Sequence, residues 1–85
     1  MAQLKEHYQG KYMPADSTLK IGVSMAGFLI TTAGTITVTD DDGEVIVNAH
    51  PVTTAQGFIR IPLFSKTSAG MTVTLAGGAS GTIFK

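Results

Sequence analysis

Two runs of β-branched residues flank a short acidic turn in this chain: Gly34-Thr35-Ile36-Thr37-Val38-Thr39, then Asp40-Asp41-Asp42-Gly43, then Glu44-Val45-Ile46-Val47-Asn48-Ala49. Apolar and polar residues alternate along the first run and glycine closes the turn, so the segment predicts a β-hairpin. Aspartate tolerates turn geometry and bonds its own backbone. Gly43 supplies the positive φ of a type I turn followed by a bulge, and the acidic stretch reads as a solvent-facing hairpin tip. Ile36 and Val38 fall on one face and Thr35, Thr37 and Thr39 on the other, a surface suited to water or to a subunit contact. The hairpin fixes an all-β architecture and supplies no chemistry.

The same period of two recurs on both sides. Leu19, Ile21 and Val23 alternate with Lys20 and Gly22, and Phe28 to Thr31 forms another run. Ile59, Ile61 and Leu63 oppose Phe58, Arg60 and Pro62, and Met71, Val73 and Leu75 alternate with Thr72 and Thr74. After Gly77-Gly78-Ala79-Ser80-Gly81 the chain closes on Thr82-Ile83-Phe84. Pro62 lacks an N–H and belongs at a sheet edge or strand end. Turn signals at Ala33-Gly34, Asp42-Gly43, His50-Pro51, Gln56-Gly57, Ala69-Gly70 and Gly77-Gly78 have the spacing of a sandwich or small barrel. The expectation is a small antiparallel β-sandwich or β-barrel of six or seven short strands, with Phe28, Ile36, Val38, Ile59, Ile61, Val73 and Leu75 as its core.

Residues 1–18 read differently, as an N-terminal arm preceding a domain over 19–85. Lys5, Glu6, His7, Gln9, Lys11 and Asp16 are interspersed with Tyr8, Tyr12 and Met13. Leu4, Tyr8 and Tyr12 have the spacing of a helical turn, which Gly10 and Pro14 limit. Two readings stay open: a loosely attached terminus, or a docking strap in which Tyr8, Tyr12 and Met13 contact a neighbouring subunit.

An 85-residue chain forms one domain, and a chain of this size buries only roughly 60 to 65% of its unfolded surface. Without cysteine there is no disulfide and no thiolate metal site, so association with other chains is the natural remaining support. Charged residues make up only 14% and the net charge is zero. With 44% hydrophobic residues beside so few charges, part of the surface is expected to be covered by a partner. Lys5, Lys11, Lys20, Arg60, Lys66 and Lys85 are spread along the chain, whereas phosphate binding needs clustered cations, so no nucleic-acid partner is expected. The start lacks the apolar stretch of a secretory signal and no apolar run is long enough to span a membrane, so the chain is expected to be made in soluble form in a cytoplasm.

No constellation of catalytic or metal-binding residues emerges. Counted from Asp40, an EF-hand loop would need glycine at its sixth position and a carboxylate at its twelfth, which here is Pro51. His7 and His50 match no metal spacing, and no Gly-x-Ser-x-Gly elbow or cysteine nucleophile exists. The glycine-rich segment 77–81 lacks the Gly-Lys-Ser/Thr ending of a phosphate loop and leads into a strand, so it is a turn. No enzyme activity, cofactor or metal is expected.

The strings Gly27-Phe-Leu-Ile-Thr-Thr-Ala-Gly-Thr-Ile-Thr-Val-Thr-Asp40, Ala49-His-Pro-Val-Thr53 and Val73-Thr-Leu-Ala-Gly-Gly-Ala-Ser-Gly-Thr82 resemble small proteins encoded among the head genes of tailed bacteriophages. There a TAGTLTVT strand, a PVTAG turn and a VTLAGGASGT ending recur. Chains of this type are similar in size and character to capsid decoration, or cement, proteins. The resemblance implies a virion structural protein on the capsid exterior, a major capsid protein as partner and a homotrimer. No functional residue transfers with it and the arm lies outside the matching strings, so Tyr8, Tyr12 and Met13 are expected as capsid-contact residues from the reading of the arm alone. A receptor- or glycan-binding module of a tail or head fibre is the alternative, although carbohydrate platforms favour exposed rings and this chain has no Trp.

Overall fold

The structure, a computed structural model, describes residues 10–66 and 68–85. Within them lie strands β1 (Gly10–Met13), β2 (Thr18–Ile21), β3 (Ser24–Thr32), β4 (Gly34–Asp40), β5 (Val45–Val52), β6 (Phe58–Phe64), β7 (Met71–Ala76) and β8 (Ser80–Phe84). The only helical element among these residues is a 3-10 turn at Thr54–Gln56. The strands form two antiparallel four-stranded sheets, ordered β1-β8-β3-β6 and β2-β7-β4-β5. The all-β sandwich expected from the sequence is therefore present, with eight strands in place of six or seven.

The order has a simple origin. β4 pairs with β5, β3 with β6, β2 with β7 and β1 with β8, so the chain is one long hairpin whose successive pairs are laid alternately in one sheet and the other. The β3–β8 and β4–β7 ladders join the pairs into sheets. This is the jelly-roll arrangement of eight strands in two packed sheets. The loops follow the same nesting. Asp16 in the β1–β2 turn meets the β7–β8 turn through Ala79, and Val23 and Gly22 accept from Ser65 and Met71 across the β2–β3 and β6–β7 connections.

Strand alternation puts one face of each sheet inside. Leu19, Val73, Val38 and Val47 lie in register across β2, β7, β4 and β5, and Ile83, Phe28 and Ile59 across β8, β3 and β6. Of the expected core, Phe28, Ile36, Val38, Val73 and Leu75 are buried. Ile59 and Ile61 pack against that core but stay partly exposed, because β6 is an edge strand. Met13, Ile21, Met25, Ile30, Val52, Met71 and Ile83 complete it. The Phe28 ring lies against the backbone of β8 where that strand carries Gly81: a Cβ there would sit 2.2 Å from the Leu29 carbonyl oxygen and 2.7 Å from Phe28 Cζ.

All four edges are guarded. β1 and β2 have four residues each, and short edges offer little template for a further strand. β5 shifts register twice against β4 and contains Pro51. At its bulge Ala49 adopts φ 46°, and its N–H is satisfied by Thr37 Oγ1 at 3.0 Å. Pro62 occupies the edge position its missing donor requires, next to a bulge against β3 between Met25 and Gly27.

The sequence-based boundary at residue 18 needs correction for the described residues. Gly10–Met13 is a strand of the sandwich and Thr18 begins β2, so 10–18 do not form a separate arm. Met13 was expected at a partner contact, yet it is 1% exposed and belongs to the core. The reason is the pleat: adjacent strand residues point to opposite faces, so Tyr12 and Met13 cannot both face a partner. Tyr8 lies outside the described residues.

Two stability outcomes follow from this packing. Gly81→Ala should destabilise the fold by about 3 kcal/mol or more, while Gly22→Ala, whose Cβ meets nothing within 4 Å, should stay close to wild type in urea unfolding. Met13→Ala should cost about 2 to 5 kcal/mol and Tyr12→Ala roughly 0.5 kcal/mol or less. Equal losses for this pair in the same experiment would contradict the inward placement of Met13.

Candidate functional site

The two outer faces of the sandwich differ in chemistry. On the sheet β2-β7-β4-β5, Thr18, Thr74 and Thr37 form one row, with Lys20, Thr72 and Thr39 in the next. Their branched Cβ atoms suit a pleated strand, and the hydroxyls make the face polar. On the sheet β1-β8-β3-β6, Tyr12, Thr82, Leu29 and Phe58 lie in register across all four strands, followed by Gly10, Phe84, Gly27 and Arg60. That second face is aromatic.

Its rings are held by specific contacts. Phe58 lies over the backbone of Gly27, where a Cβ would come within 2.4 Å of Phe58 Cζ. The same ring meets Phe84 edge to face, with centroids 5.7 Å apart and planes at 70°, a favoured aromatic geometry. The face is nevertheless open: Tyr12 is 55% exposed, Phe58 46% and Phe64 79%. Between Phe58 and Phe64 runs a groove of about 390 Å³, lined also by Met25, Arg60, Pro62 and Lys85. Large rings clustered on one face beside an arginine have the composition of interface cores and hot spots.

Charge is distributed to match. Asp40, the last residue of β4, is 4% exposed and accepts from Ser65 Oγ at 2.6 Å, the Asp41 N–H at 2.8 Å and the Lys66 N–H at 3.1 Å. Lys66 Nζ bonds Asp42 Oδ2 at 2.9 Å and also Glu44 Oε1, while Lys20 lies 3.6 Å from Asp41. The hairpin has the anticipated turn, with Gly43 at φ 89° and its N–H donated to the Asp40 carbonyl. Its tip, however, is not a free solvent loop: it is clasped to the segment following β6, which belongs to the other sheet. Ser65 and the two backbone N–H groups hold the Asp40 carboxyl below the usual carboxylate range. Lys66, with the Glu44 N–H, does the same for Asp42. Glu44 and Asp42 in turn push the Lys66 ammonium above the ordinary lysine value. Asp16 accepts the Gly78 N–H at 2.9 Å.

Every acid among the described residues is thus engaged within the chain. Lys11, Arg60 and Lys85 have no ion pair among those residues, and all three belong to the sheet β1-β8-β3-β6 or its end. Cations scattered in sequence are sorted by the fold, two to the acidic tip and three to the aromatic sheet.

The other sequence candidates are not brought together. His50 is exposed on β5 beside a recess of about 230 Å³ with Val47, Ile59, Arg60 and Ile61. Among the described residues no group of three or more His, Cys, Asp or Glu could hold a metal ion. Gly77 and Gly78 form a turn with φ 68° and 88°, and Asp16 already takes the Gly78 donor that an anion would need. Of the contact residues named from sequence, the two that are described divide: Tyr12 lies on the aromatic face and Met13 in the core. Phe58, Phe64 and Arg60 were missed as site residues, although the alternation along β6 had put Phe58 and Arg60 opposite the core side. No protein-family model matches the chain, and neither a curated protein nor a solved structure matches it.

The clasp predicts a pH response. Because the folded-state pKa of Asp40 lies below its unfolded value, its stabilisation is complete above about pH 4 and disappears as pH falls through the folded value. Asp40→Asn should lower the melting temperature at neutral pH and reduce the further fall between about pH 4 and pH 2. Thermal scans across that range check this, and an unaltered pH profile in the variant would exclude the clasp as a contributor.

Proposed function

We propose that this chain is a virion structural protein, a decoration or cement protein that binds the exterior of a bacteriophage head as a homotrimer and bridges subunits of the major capsid protein. The observation that carries this reading is the aromatic outer face of the sheet β1-β8-β3-β6, with Tyr12, Phe58 and Phe64 exposed on a chain whose described acids are engaged internally. The head-gene resemblance of the strand and turn strings supports it as well. So does the jelly-roll topology, an architecture found in viral capsid domains, although fold analogy alone assigns no function. The reading gives the chain no catalytic activity and no cofactor, and places neither nucleic acid nor membrane among its partners.

Size explains why association would matter. Four strands about 4.8 Å apart and roughly 20 Å long present on the order of 400 Å². A stable interface takes about 800 Å² per partner. One face therefore provides about half of a standard contact, and several copies acting together would supply the rest through multivalency. In a trimer each weak contact raises the effective concentration of the next.

The exposed rings also favour the second reading, a glycan-binding module, because aromatic platforms stack on sugars. Against it, the described residues of the groove offer no carboxylate or carboxamide side chain to bond hydroxyl groups, and such fixed polar groups are what orient a ligand.

Purified protein mixed with phage heads that lack it should bind in stoichiometric amount and raise the temperature at which the heads disrupt. Absence of binding, or binding with no gain in head stability, would count against a cement role.

A further inference from the structure

We infer that the groove between Phe58 and Phe64 receives an extended segment of the coat partner that places apolar side chains against the rings and a carboxylate on Arg60. The inference rests on the decoration reading and adds the chemistry of the contact to it. Charge complementarity carries the assignment. Among the described residues Arg60 and Lys85 are the only charged side chains lining the groove, and both are cationic. Neither has an acidic partner among the described residues, because the acids there are committed to the hairpin clasp and to the β7–β8 turn.

A guanidinium flanked by Phe58 and Pro62 presents a planar fork of donors in a partly apolar setting, where it matches a carboxylate in bidentate fashion better than water or an ammonium would. The rings supply what a charge alone cannot. Phe64 is 79% exposed and lies six residues from Phe58 on the same face of β6, roughly 20 Å along the strand, so an extended segment running along β6 covers each ring with a separate apolar side chain. Edge addition is the obvious competing mode, and the edge of β6 disfavours it: Pro62 has no donor and the strand is bulged there. The segment consequently lies on the face of the sheet rather than extending it.

The test uses heads that lack the protein and four forms of the full chain: wild type, Arg60→Glu, Arg60→Lys and Phe64→Ala, each first shown to melt like wild type. A fifth, Thr18→Glu on the exposed outer face of the other sheet, serves as a charge control away from the groove. Arg60→Glu should weaken head binding by about tenfold or more and Phe64→Ala by a similar factor. Arg60→Lys should restore part of the affinity, and Thr18→Glu should bind as wild type does. Added salt should weaken the wild type and leave Arg60→Glu much less affected. If wild type binds heads and Arg60→Glu and Phe64→Ala bind equally well, the groove assignment is overturned while the decoration reading stands. If wild type does not bind, the decoration reading fails and the assignment with it. If the groove variants instead change only the oligomeric state in light scattering, the occupant is a second copy of this chain and the assignment is likewise overturned.

Discussion

The nested antiparallel pairing centred on the β4–β5 hairpin is the constraint from which the rest of this structure follows. Its turn spans Asp40 to Gly43, closed by the Gly43 N–H to the Asp40 carbonyl. Once that pair exists, β3 and β6 leave it at neighbouring points, and each further pair has its ends brought together by the one inside. The closure entropy of pairing β1 with β8 across most of the chain is thereby divided among short steps. Alternating the pairs between two sheets gives each sheet one face to bury. Rolled this way, a chain of 85 residues can enclose a core containing Phe28, Ile36, Val38 and Ile83 without a disulfide.

The crossings between sheets are the weak points of such a roll, since ladder hydrogen bonds stop there. Carboxylates take over at two of them. Asp16 holds the Gly78 N–H where β1 passes to β2 and β7 passes to β8. Asp40 holds Ser65 and the Lys66 N–H where the hairpin tip meets the end of β6. Both join segments far apart in sequence, and both use an acid to satisfy backbone donors that would otherwise face solvent at a loop.

Local rules read much of this from sequence. The hairpin, its turn type, the inward sides of β4, β6 and β7, and the edge position of Pro62 all follow from period-two alternation and from what proline and glycine permit. β1 did not, because Gly10, Lys11, Tyr12 and Met13 carry too short and too polar a pattern to be distinguished from a terminus. Its burial of Met13 comes from pairing with β8, almost the whole chain away. The aromatic face was hidden for a related reason. Alternation put Phe58 on the outer side of its own strand, but only the four-strand register reveals that Tyr12 and Phe58 share a row. The placement of the acidic tip likewise depends on Ser65 and Lys66, more than twenty residues downstream.

The internal use of acids and the character of the outer surface are two sides of one distribution. A chain neutral overall that spends its described carboxylates on crossings and on Lys20 and Lys66 leaves its remaining described cations without an ion pair among the described residues. Those cations, Lys11, Arg60 and Lys85, fall on the sheet that also carries the exposed rings. A like-charged neighbour would be repelled there, and an uncharged apolar one would leave Arg60 desolvated without a partner, which is costly. Under the proposed decoration role, closing a small jelly roll thus sets which sign of charge its open face would accept, because the described acids are spent on the crossings and the hairpin tip.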